Sequence, residues 1–402
     1  RWLLRGILQF QALDIKGQCI GVYIEGELHY EKLPDELTHT WGYASFLKER
    51  PVEYASLYCT GRSLDEVCPD VYRDQWEPVQ ARLNAFYRAL REAKVDLQEN
   101  CFYDLVPENF LKDFCEVKDK ITQHVFATYE KPHNYDFLSN VQKIIADLKS
   151  RPLALNFNQI KSRLFQFKTK KWHQKLKGVA PFVDYNLFGT KTGRLTTKKN
   201  SFPILTMPKE YRNIVEPTND WFLELDFNSA ELRTLLALSG KEQPTADIHQ
   251  WNAQHAYGGL VTREGAKQRI FAWLYNPESA DHISERVYDR DTVLEKYWDG
   301  EQIHTMYDRI IPSDKHHALN YIIQSTTSDL FLRTMVEVNK LLEDKKSHIA
   351  FCVHDSLIID LADEDKHLVP QIKEVFGNTD LGAFRVNLSA GKNYGDLKEL
   401  KI

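Results

Sequence analysis

Hydrophobic and polar positions follow two periods along this chain. The stretch "GQCIGVYIEGELHYEKLP" (17–34) predicts two strands around the turn Glu25-Gly26-Glu27. From 76 to 97 apolar residues recur at helical spacing, and a second helical tract runs from 108 to 149 with a break near Pro132. Further on, residues 221–225 read as a buried strand ending at Asp226. Asn228 or Ser229 is placed to cap a following helix through Glu231 and Arg233.

"FCVHDSLIID" (351–360) sets a His-Asp-Ser triplet between two apolar runs. The runs predict hairpin strands with Asp355 at the tip. Desolvating a carboxylate is costly unless something pairs it. Either Asp355 and Ser356 are ordinary turn residues, or Asp355 is a metal ligand and needs a second carboxylate. Asp226, also placed at a strand end, meets that need.

The most informative helix is "TREGAKQRIFAWLYNP" (262–277). Arg263, Lys267, Phe271 and Tyr275 recur every four residues and form one slowly winding stripe. Cations at one end and aromatics at the other suit a nucleotide. A helix with a merely mixed face would look the same.

The net charge of -5 over 402 residues does not advertise a nucleic-acid binder. Locally the picture changes. Residues 161–177 hold seven Lys or Arg and no Asp or Glu, with Phe165, Phe167 and Trp172 among them. This is either a solvated helix face with buried aromatics or a phosphate-gripping surface through Lys168, Lys170 and Lys171.

A hydrophobic share of 43% with 12% aromatics marks a globular chain, and its length suggests two or three domains. Six cysteines without a CxxC pair argue against a zinc ribbon or redox motif, so reduced thiols in the cytoplasm are expected. No apolar run approaches the roughly 18 residues of a membrane span. The opening "RWLLRGILQF" lacks a signal-peptide cleavage site, and without an initiator Met residue 1 is not expected to be the natural start.

The chemistry-bearing stretches resemble the polymerase domain of family A DNA polymerases, the group that includes bacterial polymerase I and many phage replicases. "DFNSAELR" (226–233) resembles motif A, the 263–275 stripe motif B, and "VHDS" (353–356) motif C. "TGRLTT" (192–197) resembles the primer-side signature, and "DIH" (247–249) the stretch whose His meets the incoming triphosphate. "NYIIQSTTSDL" (320–330) is similar to the helix under the template, and "AGKNYGDL" (390–397) to the C-terminal signature. These matches lie in family order over about residues 190–400.

The resemblance implies an α+β right-hand fold with an antiparallel palm sheet and helical fingers and thumb. Residues 1–109 would be an N-terminal region, 110–190 thumb, 191–245 palm, 246–330 fingers and 331–402 palm again. It implies an enzyme that adds dNTPs to a primer 3′-OH on template DNA. Two Mg²⁺ ions, for which Mn²⁺ can substitute, would be held by Asp226, Asp355 and the backbone carbonyl of Phe227. Arg263 and His249 would hold β- and γ-phosphates. Lys267 would meet the α-phosphate or pyrophosphate and serve the leaving group. Phe271 and Glu231 would wall the sugar, with Tyr275 beside the templating base. Arg194, Asn320 and Gln324 would touch the minor-groove side of the nascent pair, and His354 the turn or the primer end.

Three positions depart from the family pattern: Ser356 where Glu is usual, Asn276 where Gly follows the motif B Tyr, and His316 where an Arg is common. In the N-terminal region "LDIKG" has Lys16 where a proofreading exonuclease needs Glu, so no intrinsic proofreading is expected; a separate exonuclease subunit or replisome partner stays open. The polymerase-only layout implies a phage or mobile-element replicase. Ser356 keeps a single-subunit RNA polymerase in view, but Glu231 and Phe271 argue against it. A catalytically dead primer–template clamp is the other rival.

Overall fold

The computed structural model describes residues 7–14, 20–31, 33–97, 100–276 and 278–401. The chain divides into two compact units, 1–150 and 151–402.

In the first unit, β1 (Gln11–Ala12), β2 (Gly21–Ile24) and β3 (Glu27–Tyr30) form an antiparallel sheet in that order. The β2–β3 turn is Glu25-Gly26, with φ of 45° and 95°. Positive φ at both central residues is what a tight two-residue hairpin demands, and Gly supplies it without strain. Helix α1 (Asp70–Glu92) begins six residues before the predicted start, after Pro69, and continues through Pro78. Helices α2 (Glu108–Thr128) and α3 (Tyr135–Ser150) flank the expected break at Pro132. Both lie in this unit, together with residues 1–109. Lys16, on which the expected lack of proofreading rests, is outside the described residues. Cys59, Cys68, Cys115 and Cys352 are free and buried. Cys101 is disulfide-bonded, which corrects the expectation of reduced thiols throughout.

The second unit opens with α4 (Phe167–Leu176) and the short ladder of β4 (Tyr185–Asn186) with β5 (Thr196–Thr197). Next come β6 (Trp221–Phe227), α5 (Ala230–Leu238), α6 (Arg263–Tyr275) and the long α7 (Lys315–Leu341). The chain then runs through β7 (His348–Val353), β8 (Ser356–Leu361), α8 (Val369–Gly377), β9 (Val386–Gly391) and β10 (Lys398–Glu399). The central sheet is antiparallel, in the order β7-β8-β6-β9-β10. Alternation along β6 puts Leu223, Leu225 and Phe227 on one face and Glu224 and Asp226 on the other. Phe227 stacks on Phe376 of α8, with ring centroids 4.3 Å apart. That packing holds β6 in place and leaves the Asp226 face for chemistry.

Among the described residues no helix is long and apolar enough to cross a membrane.

Candidate active site

The register of the central sheet brings the two predicted carboxylates together. Asp226 lies opposite Ser356 of β8 and Asn387 of β9. It sits one residue inside the strand end, because β6 continues to Phe227. Asp355 occupies the two-residue turn between β7 and β8, beside Ser356 and next to His354, whose φ is 55°. The Ser356 hydroxyl donates to Asp226 Oδ1 at 3.0 Å, and Asn387 Nδ2 approaches Oδ2 at 3.5 Å. So the serine that departs from the family pattern orients the first carboxylate.

Burial raises the pKa of Asp226 against those two hydrogen bonds. Burial also raises that of Asp355; Arg194 opposes the shift, while Glu231 and Asp226 add to it. Glu224, two residues before Asp226 on the same face, is raised by burial and by Asp226. Negative charge is thus concentrated here, and Arg194 beside Asp355 and Arg212 beside Glu224 offset it only in part. Asp360, in the same sheet, is different: its carboxylate accepts from Thr218 N (2.7 Å), Thr218 Oγ1 (2.6 Å) and Asn219 N (2.9 Å). Asp360 is a satisfied structural group; Asp226, with one hydrogen bond to each oxygen, keeps acceptor capacity for an outside cation. Hard oxygen donors in a pair suit Mg²⁺, which keeps waters and takes further ligands from a substrate. Among the described residues no three His, Cys, Asp or Glu side chains form a closed metal cage.

A continuous chain of contacts runs from Arg194, whose charge acts on Asp355, to α6. Arg194 Nη2 meets Glu231 Oε1 at 2.5 Å, and the Tyr275 hydroxyl donates to the other Glu231 oxygen. Tyr275 stacks on Phe271 with centroids 5.8 Å apart and planes 8° from parallel. Phe271 lies 5.8 Å from the His249 ring. Burial, and beyond it the Arg263 and Lys267 charges, push the His249 pKa down to about 4 against the pull of Asp247. His249 is therefore neutral near neutral pH. Its Nε2 meets Ser229 Oγ at 2.7 Å, while Nδ1 is buried with no hydrogen-bond partner. An orphaned buried ring nitrogen is what a polar ligand would satisfy. Lys267 is exposed on α6, the helix of Phe271 and Tyr275.

Sequence reasoning missed what holds these groups. Arg263 was expected to hold phosphate; here it makes a two-pronged pair with Asp247, Nε–Oδ1 at 3.0 Å and Nη2–Oδ2 at 2.9 Å. Asn228 Nδ2 also donates to Asp247, at 2.9 Å. Ser229 takes the N-cap position of α5, but in the left-handed region (φ 54°), and its side chain makes no cap bond. The expected cap is replaced by the contact with His249. Strain of this kind persists only where the surroundings impose it.

Those surroundings centre on Arg233, which is fully buried. Its guanidinium donates to Asn228 O (2.8 Å), Pro244 O (2.7 Å), Asn228 Oδ1 (3.1 Å) and Ala246 O (2.9 Å). Burial lowers its pKa to about 10, so it stays charged. Arg233→Ala is expected to cost about 3 kcal/mol or more, because the carbonyls of Asn228, Pro244 and Ala246 lose this donor, while Asn228 Oδ1 keeps only the bond from Ile248 N. Urea unfolding measures it; a change below about 1 kcal/mol would show that water replaces the guanidinium.

Other predicted residues lie on α7, on the Asp355 turn and on α4. Gln324 Nε2 donates to Asn320 Oδ1 at 2.7 Å on half-buried faces of α7. His354 is exposed and lines a small cavity with Arg194 and Asp355. Lys168, Lys170 and Lys171 are exposed on α4. Phe165 and Phe167 are 84% and 78% exposed, which corrects the expectation of buried aromatics in the bland reading of this segment. Only Trp172 packs, stacked on Tyr211 at 4.2 Å.

The segment carrying Asn320, Gln324, Asp355 and Asn387 is where a family model matches. Residues 280–397 match the family model of DNA polymerase family A. The whole fold is similar to the POL domain of Pol1 from M. smegmatis, solved in complex with DNA primer-template and dNTP. The TM-score is 0.65 at 11% identity, over 98% of this chain and 96% of that one. The fold is therefore that of a family A polymerase domain, α+β as expected. The comparison with curated proteins returns no match. Asp226, Glu231 and α6 lie outside the segment matched by the family A model; the sheet register and side-chain contacts join Asp226 and α6 to it.

Proposed function

We infer that this chain is a DNA-directed DNA polymerase that extends a primer 3′-OH with dNTPs. The observation that carries the reading is the convergence of Asp226 and Asp355 beside the Arg194–Glu231–Tyr275 cluster. In this reading 191–245 and 331–402 are palm, 246–330 fingers and 110–190 thumb, with 1–109 a reduced exonuclease-like remnant. The phage setting rests on the sequence resemblance alone.

The two carboxylates and the Phe227 carbonyl would hold two divalent ions, Mg²⁺ or Mn²⁺, which stabilise the attacking and leaving oxygens of an in-line displacement. The chain's own residues do the rest. Ser356 keeps Asp226 turned toward the shared face. Arg263 exchanges Asp247 for the β- and γ-phosphates, and His249 offers its unpartnered nitrogen to the same groups. Lys267, exposed and cationic, meets the α-phosphate or the pyrophosphate and donates a proton to the leaving group. Tyr275 lies beside the templating base. Arg194, Asn320, Gln324 and His354 face the primer–template.

Primer extension with dNTPs, with NTPs and with neither tests this directly. Extension with dNTPs supports it. Preference for NTPs would favour the RNA polymerase, and binding without extension the inactive clamp.

DNA affinity should depend on α4. Replacing Lys168, Lys170 and Lys171 together by Gln is expected to flatten the slope of log affinity against log salt by about 2 to 3 units. An unchanged slope would make the segment a solvated face.

A further inference from the structure

Tyr185 has no place in the chemistry above, yet it touches the strand that carries Asp355. Tyr185 is 2% exposed. Its hydroxyl donates to Cys352 O at 2.6 Å and accepts from Cys352 N at 2.9 Å. Burial raises its pKa well above the ordinary value, so the hydroxyl keeps the proton that the first bond needs.

The reason Cys352 needs such a partner is geometric. β7 is the outer strand on its side of the central sheet. Val353 and Ser356 close the two-residue turn, so theirs is a hydrogen-bonded pair. Pair types alternate in an antiparallel ladder, so Cys352, opposite Leu357, turns its N–H and C=O away from β8. An edge leaves such groups to water or to another chain. Here a single phenol satisfies both, as a neighbouring strand would.

Tyr185 is itself fixed. It pairs with Thr197 and Asn186 pairs with Thr196, closing a hairpin whose loop carries Arg194. The approach of the two arms is close: a Cβ on Gly189 would lie 1.8 Å from Thr196 Oγ1. One hydroxyl therefore ties the Arg194 loop to the strand three residues before Asp355.

We propose that Tyr185 is a positioning residue, whose hydroxyl acts as a surrogate edge strand and sets the aim of the Asp355 turn against Arg194. The proposal rests on the polymerase reading for its kinetic consequence but not for the clamp itself. Two experiments separate them. In hydrogen–deuterium exchange on the wild-type protein, the outward-facing Cys352 amide should be protected like its neighbours Phe351 and Val353. Exchange at the rate of an open edge amide would overturn the clamp, whether or not the protein extends primers. Tyr185→Phe should then speed Cys352 exchange by about tenfold or more. It should also lower kcat for primer extension by about ten- to a hundredfold, the scale of an ångström-sized misplacement, with dNTP KM and DNA Kd within about twofold of wild type. Leu187→Ala, in the same hairpin, is the control: it should lower Tm while kcat holds. Equal kcat in wild type and Tyr185→Phe, or an equal kcat loss in Leu187→Ala, would reduce Tyr185 to ordinary packing.

Discussion

Asp226→Asn and Asp355→Asn should each reduce primer extension by about a thousandfold or more while leaving primer–template binding within a few-fold of wild type. Asn keeps the shape of the side chain and removes the charge, so the expected loss is electrostatic. The same substitutions carry a second signature. Burial raises both folded-state pKa values. A raised carboxylate binds its proton more tightly folded than unfolded. Without a cation it opposes folding above its folded pKa, and the penalty fades as pH falls through that value toward the ordinary carboxylate range. In chelator at pH 7 to 8, each Asn variant should therefore melt at or above the wild-type temperature. Added Mg²⁺ should raise the wild-type Tm more than that of either variant. Activity above about a tenth of wild type in either variant would remove the carboxylate assignment. Variants melting well below wild type in chelator would show that the pair is structural, like Asp360.

Sugar selection should move with Glu231 and Phe271. The Glu231 carboxylate is held from both sides, by Arg194 and by the Tyr275 hydroxyl, and its side chain is 12% exposed. In the proposed reading a group so restrained would make a rigid wall, and a ribose 2′-hydroxyl meeting it would have nowhere to go. Glu231→Ala is expected to relax discrimination against NTPs by about 2–4 kcal/mol, the scale of a clash or unpaired polar group in a closed pocket. Phe271 is half-buried between Tyr275 and His249 and carries no hydroxyl. Phe271→Tyr should admit ddNTPs more readily by a similar factor, with dNTP use little changed. The measurement is kcat/KM for dNTP, NTP and ddNTP with each variant. If Glu231 only ties Arg194 to Tyr275 and Phe271 only packs, both variants will lose stability and activity with unchanged substrate ratios. That outcome would reopen the RNA polymerase reading.

Arg263 illustrates how far the sequence reading reached. Its place on a helix with Lys267, Phe271 and Tyr275 was legible from spacing, and α6 runs over that stretch. Its engagement with Asp247 was not, although the two lie only sixteen residues apart. Asp247 is held by Asn228, and the carbonyl before it by the buried Arg233, and neither contact has a local signature. Likewise the β7–β8 hairpin was legible from its apolar runs, whereas the role of Ser356 depended on facing Asp226 across the ladder.

The sequence by itself determined the local elements. The β2–β3 hairpin, the paired helices α2 and α3, α6 and the Asp355 turn all follow from periods of two and 3.6 and from turn residues. It also determined which side chains could do chemistry, because few residue types offer a hard oxygen ligand or a cation beside an aromatic. Tertiary structure alone decided which of these meet. Asn387 reaches Asp226 only through the register of β9 on β6, and Tyr185 reaches Cys352 only because β7 lies at the sheet's edge. Periodicity is written in neighbours along the chain. Register, edge position and the burial that raises the two carboxylate pKa values come from contacts between distant segments, whose selection depends on the packing of the whole unit.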